Sequence, residues 1–410
     1  MSASHGLWAT RESRMAVIII EEPRRRKAGP PPGMALFSLG LRPFYLLAAA
    51  LAATLIPLWL LLITGWLRLE PALPALIWHG HEMIFGFAAA VIVGFLFTAV
   101  GNWTGQAMPR GKPLAALALL WLAARVAMLS GPHGLAAVLD LAFLPLAALA
   151  IAPALWRARQ RRNYFLPLML LLLTAANALV HAAVAGWLAV SPPLGLHLAV
   201  ALVTMLETVI AGRIVPGFTA SGGRALVWRD ARVESAALAL TGGALLAWAL
   251  DASAVLCAAL ALPAALAQIV RCQGWRPQAS LGKPLLWSLH LAHAWILVAL
   301  LLLAASPWWP AAHSAVLHVL TVGAMAGLIL AMITRTALGH TGRMLRVDWL
   351  EATAYGALVL AVLARVLPVL LWPAAYISGL WLAALVWSFA FLLYLWRYGP
   401  ILCRHRLDRA

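Results

Sequence analysis

Twelve histidines and thirteen acidic residues are set in a chain that is 64% hydrophobic. His79, His81 and Glu82 fall within four positions of one another, and His181, His197, His290, His293, His313 and His318 lie in or beside long apolar stretches. An ionisable group in hydrocarbon costs at least about 2.5–3.5 kcal/mol on insertion scales, so these residues are the first candidates for chemistry. Imidazole nitrogen suits Cu, Fe and Zn. At about 1.5 Å of helical rise per residue, His79, His81, Glu82, His181, His197, His313 and His318 come to one level near the outer membrane face. His81, His197 and His318 form a candidate three-histidine metal site, with His79 as the competing ligand. His79 and His81 sit about 200° apart on a helix, so both join one site only if the helix start is irregular. Glu82 is placed to orient His79 or to carry protons, or simply to cap a helix start. The plain alternative for the group is interfacial histidine bonded to backbone or lipid headgroups.

A second set lies deeper on the opposite side. His290 and His293 are spaced i,i+3 and share a helix face, with Arg213, Arg335 and His340 near the inner helix ends. An imidazole in an apolar pocket with arginines nearby is what a haem needs, one supplying an axial ligand and the other partners for propionates. Snorkelling of both arginines to lipid phosphate is the competing account. Glu207 and Arg125 fall near mid-membrane, as a candidate buried pair or proton relay, or a structural ion pair. Asp140 is intramembrane without an assigned role, and Asn177 is suited to an interhelical hydrogen bond. His5, His133 and His405 are read as tail or loop residues.

Other chemistries are excluded by what is missing. There is no P-loop, no GxGxxG after a strand, no CxxCH and no HExxH. Cys257, Cys272 and Cys403 are too far apart to form a thiolate metal motif. Net charge is +17, yet with charged residues at only 10% no soluble basic face exists to bind nucleic acid.

The elements that must position these side chains are membrane helices. Mean hydropathy is +0.91, and a bilayer core needs about 20 apolar residues per helix. Twelve runs qualify, at about 44–67, 78–100, 113–131, 134–156, 164–190, 194–215, 234–251, 253–271, 284–305, 313–336, 349–371 and 375–397. They lack the alternation and brevity of barrel strands, so the expected fold is an all-α integral membrane protein. With the N-terminus inside, 27 of the 30 Lys and Arg fall in tails, inner loops or inner helix ends, the exceptions being Arg68, Arg125 and Arg365. The positive-inside rule then places both termini in the cytoplasm. Residues 1–33 read as a basic, Pro-rich tail and 401–410 as a basic C-terminal tail.

Self-comparison shows a period of about 120 residues. The second, sixth and tenth runs end in Thr98-Ala-Val-Gly-Asn-Trp-Thr104, Arg213-Ile-Val-Pro-Gly-Phe-Thr219 and Arg335-Thr-Ala-Leu-Gly-His-Thr341. His81 and His318 each precede the final Thr by 23 residues, and His197 by 22. Three pseudo-repeated four-helix units are expected, at about 42–156, 163–271 and 283–397, around an axis normal to the membrane.

Phe37-Ser-Leu-Gly-Leu-Arg42-Pro43-Phe44, Trp78-His79-Gly-His81-Glu82-Met83-Ile-Phe85-Gly86-Phe87, Asn102-Trp103-Thr104-Gly105 and Leu338-Gly339-His340-Thr341-Gly342-Arg343 resemble the NnrS family from about residue 34 to the C-terminus. The resemblance implies a bacterial inner-membrane protein of about twelve spans that contains haem and copper and is associated with nitric oxide metabolism and resistance. On that basis the leading expectation is an oxidoreductase that reduces NO to nitrous oxide, with haem (b-type, given the lack of CxxCH) and copper as cofactors. Glu82 or Glu207 would supply protons, and a quinol or a periplasmic redox protein electrons. A transporter, or a cofactor-handling or NO-sensing protein without turnover, would draw on the same polar groups. Lipid is the other expected partner, and nucleic acid is not one.

Overall fold

A computed structural model describes residues 35–407; the tail expected over 1–33 and the last three residues lie outside them. After a short 3-10 turn at Ala35–Ser38, twelve long helices follow, and no strand occurs among the described residues. They are α1 Leu41–Ile63, α2 Ala75–Thr104, α3 Lys112–Ser130, α4 His133–Arg157, α5 Phe165–Val184, α6 Pro192–Gly223, α7 Ala231–Ala249, α8 Ala254–Gly274, α9 Pro284–Ala305, α10 Pro310–His340, α11 Trp349–Leu371 and α12 Tyr376–Cys403. Eleven are long and apolar enough to cross a membrane. The exception, α7, carries Arg232 and Glu234 in its first turn. The protein is an all-α multi-span membrane protein.

Punctuation in the sequence ends the helices where chain physics requires. Pro192 and Pro284 occupy first-turn positions, where the missing N–H is no loss. Gly105 leaves α2 in the left-handed conformation, which costs glycine nothing. Asp348 and Glu351 form a reciprocal capping box at the start of α11, Asp348 Oδ1 accepting from Leu350 N at 2.9 Å and Glu351 Oε2 from Asp348 N at 3.0 Å. Asp348→Ala is expected to lower stability by about 1 kcal/mol, read as a fall in Tm in detergent. The Leu350 N–H holds the Asp348 carboxyl below its ordinary range. This stabilisation is therefore complete above the ordinary carboxylate pKa and is lost as pH falls through the depressed one.

Burial separates the helices into two classes. In α2, α6 and α10, 83%, 67% and 67% of the apolar stretch is buried within the protein, against 33–44% in the other spans. These three form the centre, and they are also the longest with α12. Around them, α3 packs on α4, α7 on α8 and α11 on α12, while α4 meets α5, α8 meets α9 and α12 returns to α1. The contact of α12 with α1 closes the bundle; Trp387 on α12 donates its indole N–H to Ala52 O on α1 at 2.8 Å.

Two central helices are interrupted by a widened turn. Glu82–Ala88 in α2 and Val319–Met325 in α10 are π-helical, each beginning immediately after a histidine, His81 and His318. Each holds a glycine five positions on, Gly86 and Gly323. A Cβ on Gly323 would come within 2.7 Å of the Trp295 ring on α9, so the close approach of α9 to α10 requires glycine there.

Candidate metal centre

The widened turn of α2 directs His81 and Glu82 into a polar cluster sealed among α2, α3, α4 and α5. His81, Glu82, Arg125, Asp140, Asn177 and His181 are all buried. Asp140 is the hub. It pairs with Arg125 through Oδ1, while its Oδ2 accepts from Asn177 Nδ2 at 2.5 Å and lies 3.1 Å from His81 Nε2 and 3.4 Å from His181 Nε2. Arg125 also donates from Nη1 to Glu82 Oε1 at 2.6 Å. His81 Nδ1 lies 3.1 Å from that same Glu82 oxygen, and its Nε2 lies 2.8 Å from Asn177 Oδ1. His133 Nε2 reaches His181 Nδ1 at 3.1 Å, extending the cluster to the start of α4.

The charges and protons of this cluster leave it one cation short. Two carboxylates face a single guanidinium, and both nitrogens of His81 face oxygen acceptors. A neutral imidazole has only one N–H. One of those approaches therefore sets lone pair against lone pair, unless a proton or a metal ion enters. Ligand atoms of His81, Asp140 and His181 all lie within 4.8 Å of one another, and no other group of three or more His, Cys, Asp or Glu does so among the described residues. Two imidazoles and one carboxylate make a nitrogen–oxygen donor set that fits copper, and equally ferrous iron with open positions. Glu82, Asn177 and His133 are placed to orient the ligands.

Gly86 supports the site from the widened turn. Its carbonyl accepts the Trp121 indole N–H at 3.1 Å. A Cβ there would come within 2.8 Å of Leu51 Cδ2 and 3.0 Å of Arg125 Nη1. Leu51 can yield, but Arg125 is fixed by two carboxylates. Gly86→Ala is expected to destabilise the protein by about 1–3 kcal/mol and to lower metal occupancy with every ligand intact, as metal analysis of the purified variant would show.

The expected three-histidine arrangement does not form. His81 faces α4 and α5. His197 instead packs on Trp248 at 4.9 Å, and His318 borders a cavity with Arg365 and Tyr376. A common depth fixes height along the helix but not the direction in which a side chain leaves it, and these three leave on different sides. His79 is stacked on Trp59 at 4.3 Å. Glu82 does not orient His79, because it is held by Arg125 and contacts His81; nor does it cap a helix start, since α2 begins at Ala75. The Arg125–Glu207 pair is likewise absent. Glu207 lies in a largely apolar cavity of about 70 Å³ among α1, α2, α6 and α10, and its Oε2 has no partner.

On the other half of the bundle, His290 and His293 do share a face, both against Trp275 at 6.4 and 4.7 Å. His290 Nε2 pairs with Thr219 Oγ1 at 2.8 Å, and His293 Nε2 donates to Gln268 Oε1 at 3.1 Å. Arg213 donates to Asn163 Oδ1 at 2.8 Å, and Arg335 stacks over Phe218 at 3.7 Å. His340 ends α10. The second ring nitrogen of His293, Nδ1, is buried without a partner.

A profile of the NnrS family, described as NnrS protein, matches residues 35–406. The chain belongs to the NnrS family. The family is linked to nitric oxide metabolism, and all the ligands of the cluster lie within the matched region. No curated protein matches the chain. Membership in the NnrS family and the geometry point the same way in general terms, to a multi-pass membrane protein whose buried imidazoles suit metal binding.

Proposed function

We propose that this NnrS-family protein acts on nitric oxide at a buried metal centre held by His81, Asp140 and His181, reducing two NO to nitrous oxide. The overall change is 2 NO + 2 e⁻ + 2 H⁺ → N₂O + H₂O, so the site has to receive electrons and protons while excluding bulk water. The observation that carries the reading is the set of His81, Asp140 and His181 donor atoms within 4.8 Å of one another, beside two carboxylates that share one guanidinium. Bound copper or ferrous iron would supply a redox-active Lewis acid for NO.

The protein's own groups do the rest. Asp140, fixed by Arg125 and Asn177, holds its second oxygen toward both imidazoles. Arg125 keeps Glu82 against His81. Glu82 can hold a proton beside the site, and the His133–His181 contact gives a proton path from the start of α4. NO is small and neutral and can enter through the bilayer. We propose further that the arginine-rich end of the bundle faces the cytoplasm, that the membrane is the bacterial inner membrane, and that the fourfold order of helix contacts reflects three repeated units.

Purified protein, assayed for metal and reduced anaerobically, should consume NO and form nitrous oxide. His81→Ala, Asp140→Asn and His181→Ala should each lose bound metal and that activity. Metal-loaded, reduced protein that forms no nitrous oxide would overturn the catalytic reading. Unchanged metal content in all three variants would overturn the site.

A further inference from the structure

A second polar site lies between α10, α11 and α12 and shares no residue with the metal centre. A cavity of about 210 Å³ is bordered by Ser314, His318, Arg365 and Tyr376. Liquid water occupies about 30 Å³ per molecule, so this space admits a small ion with several waters. Arg365 is six residues before the end of α11 at Leu371, about 9 Å along the helix. Among the described residues it is one of three Lys or Arg away from the arginine-rich end. The other two are accounted for differently: Arg125 has two carboxylates, and Arg68 lies in the loop between α1 and α2.

Arg365 has no such partner. None of the ion pairs among the described residues includes it. Its immediate company is the Tyr376 ring at 5.4 Å and the two imidazoles of His318 and His79, which lie within electrostatic reach. The Nδ1 of His79 is buried without a partner. The assembly therefore offers a forked cation, a phenol and imidazole nitrogens, with no carboxylate in an ion pair with Arg365 among the described residues. A guanidinium presents parallel N–H groups that match a planar or tetrahedral oxyanion.

We propose that this cavity is an oxyanion-binding site, in which Arg365 provides the charge and His318 and Tyr376 provide flanking donors. Two sources share this chemistry: a small free oxyanion, and the phosphate of a lipid headgroup.

The test uses the full-length protein in phosphate-free detergent, with nitrate as the free probe and chloride holding ionic strength constant. Tm is followed by tryptophan fluorescence, and native mass spectrometry reports co-purified phospholipid. A saturable rise in Tm with nitrate, absent in Arg365→Gln and weakened in Arg365→Lys, which keeps the charge but not the fork, supports the site with a free ion as occupant. A phospholipid retained by the wild type and lost from Arg365→Gln, without a nitrate response, supports it with a headgroup as occupant. Wild type and both variants that bind nitrate and lipid alike would overturn the proposal. Circular dichroism and metal content serve as the folding check, and both are expected to be unchanged because the metal centre lies elsewhere.

Discussion

Asp140→Asn is expected to be the most damaging single change in the protein. The substitution is nearly isosteric, so its effect isolates the charge. It removes the carboxylate charge, leaves Glu82 as the one carboxylate on Arg125, and offers a single amide oxygen where Arg125 and the two imidazoles used two carboxylate oxygens. Arg125 stays paired with Glu82, so the loss of stability is that of the buried polar groups Asp140 leaves unsatisfied, about 1–3 kcal/mol for each. Losing only an orienting group usually lowers metal affinity 10–100-fold, and losing the charge of a ligand should exceed that. The expected result is a protein without bound metal and with a clearly lower Tm. Near-stoichiometric metal in Asp140→Asn would show that the ion, if bound, sits elsewhere.

The second large effect concerns Arg271, on the opposite half of the bundle. Arg271 is buried, and it donates to Glu234 through Nε and Nη2 at 3.0 and 2.7 Å, to Thr208 O at 3.2 Å and to Gln268 at 3.4 Å, with its guanidinium over Trp275. It joins α6, α7 and α8, and through Gln268 it reaches His293 on α9. Arg271→Leu would remove these bonds together and leave Glu234 with Arg229 alone, at 3.6 Å, a loss of at least about 1.5–3 kcal/mol, the range for bonds to a charged group. Arg397→Ala is the control. Its contacts with Asp348 and Glu351 are solvent-exposed on the arginine side, and such pairs contribute about 0–1 kcal/mol. Thermal unfolding of the two variants in one detergent should separate them clearly. Similar Tm losses would mean that the Arg271 network is not what ties these helices together.

The twelve helices were legible in the sequence because hydrocarbon thickness dictates a run length that Leu- and Ala-rich segments display openly. The expected limits fall within a few residues at most ends, as with 349–371. They fall short for α2, α6 and α10, whose ends carry residues such as Asn102, Ser221 and His340 that a hydropathy reading leaves outside. The candidate site was only half legible. His81 and Glu82 were marked by being ionisable in an apolar run. Asp140 and His181 carried the same mark but had no role, because pairing across α2, α4 and α5 depends on how helices pack and not on spacing along one of them. His133 read as a loop residue since it opens α4. The partners of Arg125 were misread for a similar reason: equal depth suggested Glu207, whereas the packing of α3 against the widened turn of α2 supplied Glu82.

That widened turn also sets the phase of α2. In an α-helix each residue advances about 100° around the axis, and a π turn absorbs extra chain without that advance. The outer half of α2 is thereby rotated relative to its inner half. One half presents His81 to α4 and α5, while Phe97 on the inner side meets Phe44 of α1 at 6.5 Å. The two ends of one rod thus answer to different neighbours. Deleting a single residue between Glu82 and Ala88 would restore a continuous spiral and swing the outer end by about 100°. The metal ligands would come apart while the inner packing stayed in register, so the length of seven residues of chain sets whether the buried donors ever meet.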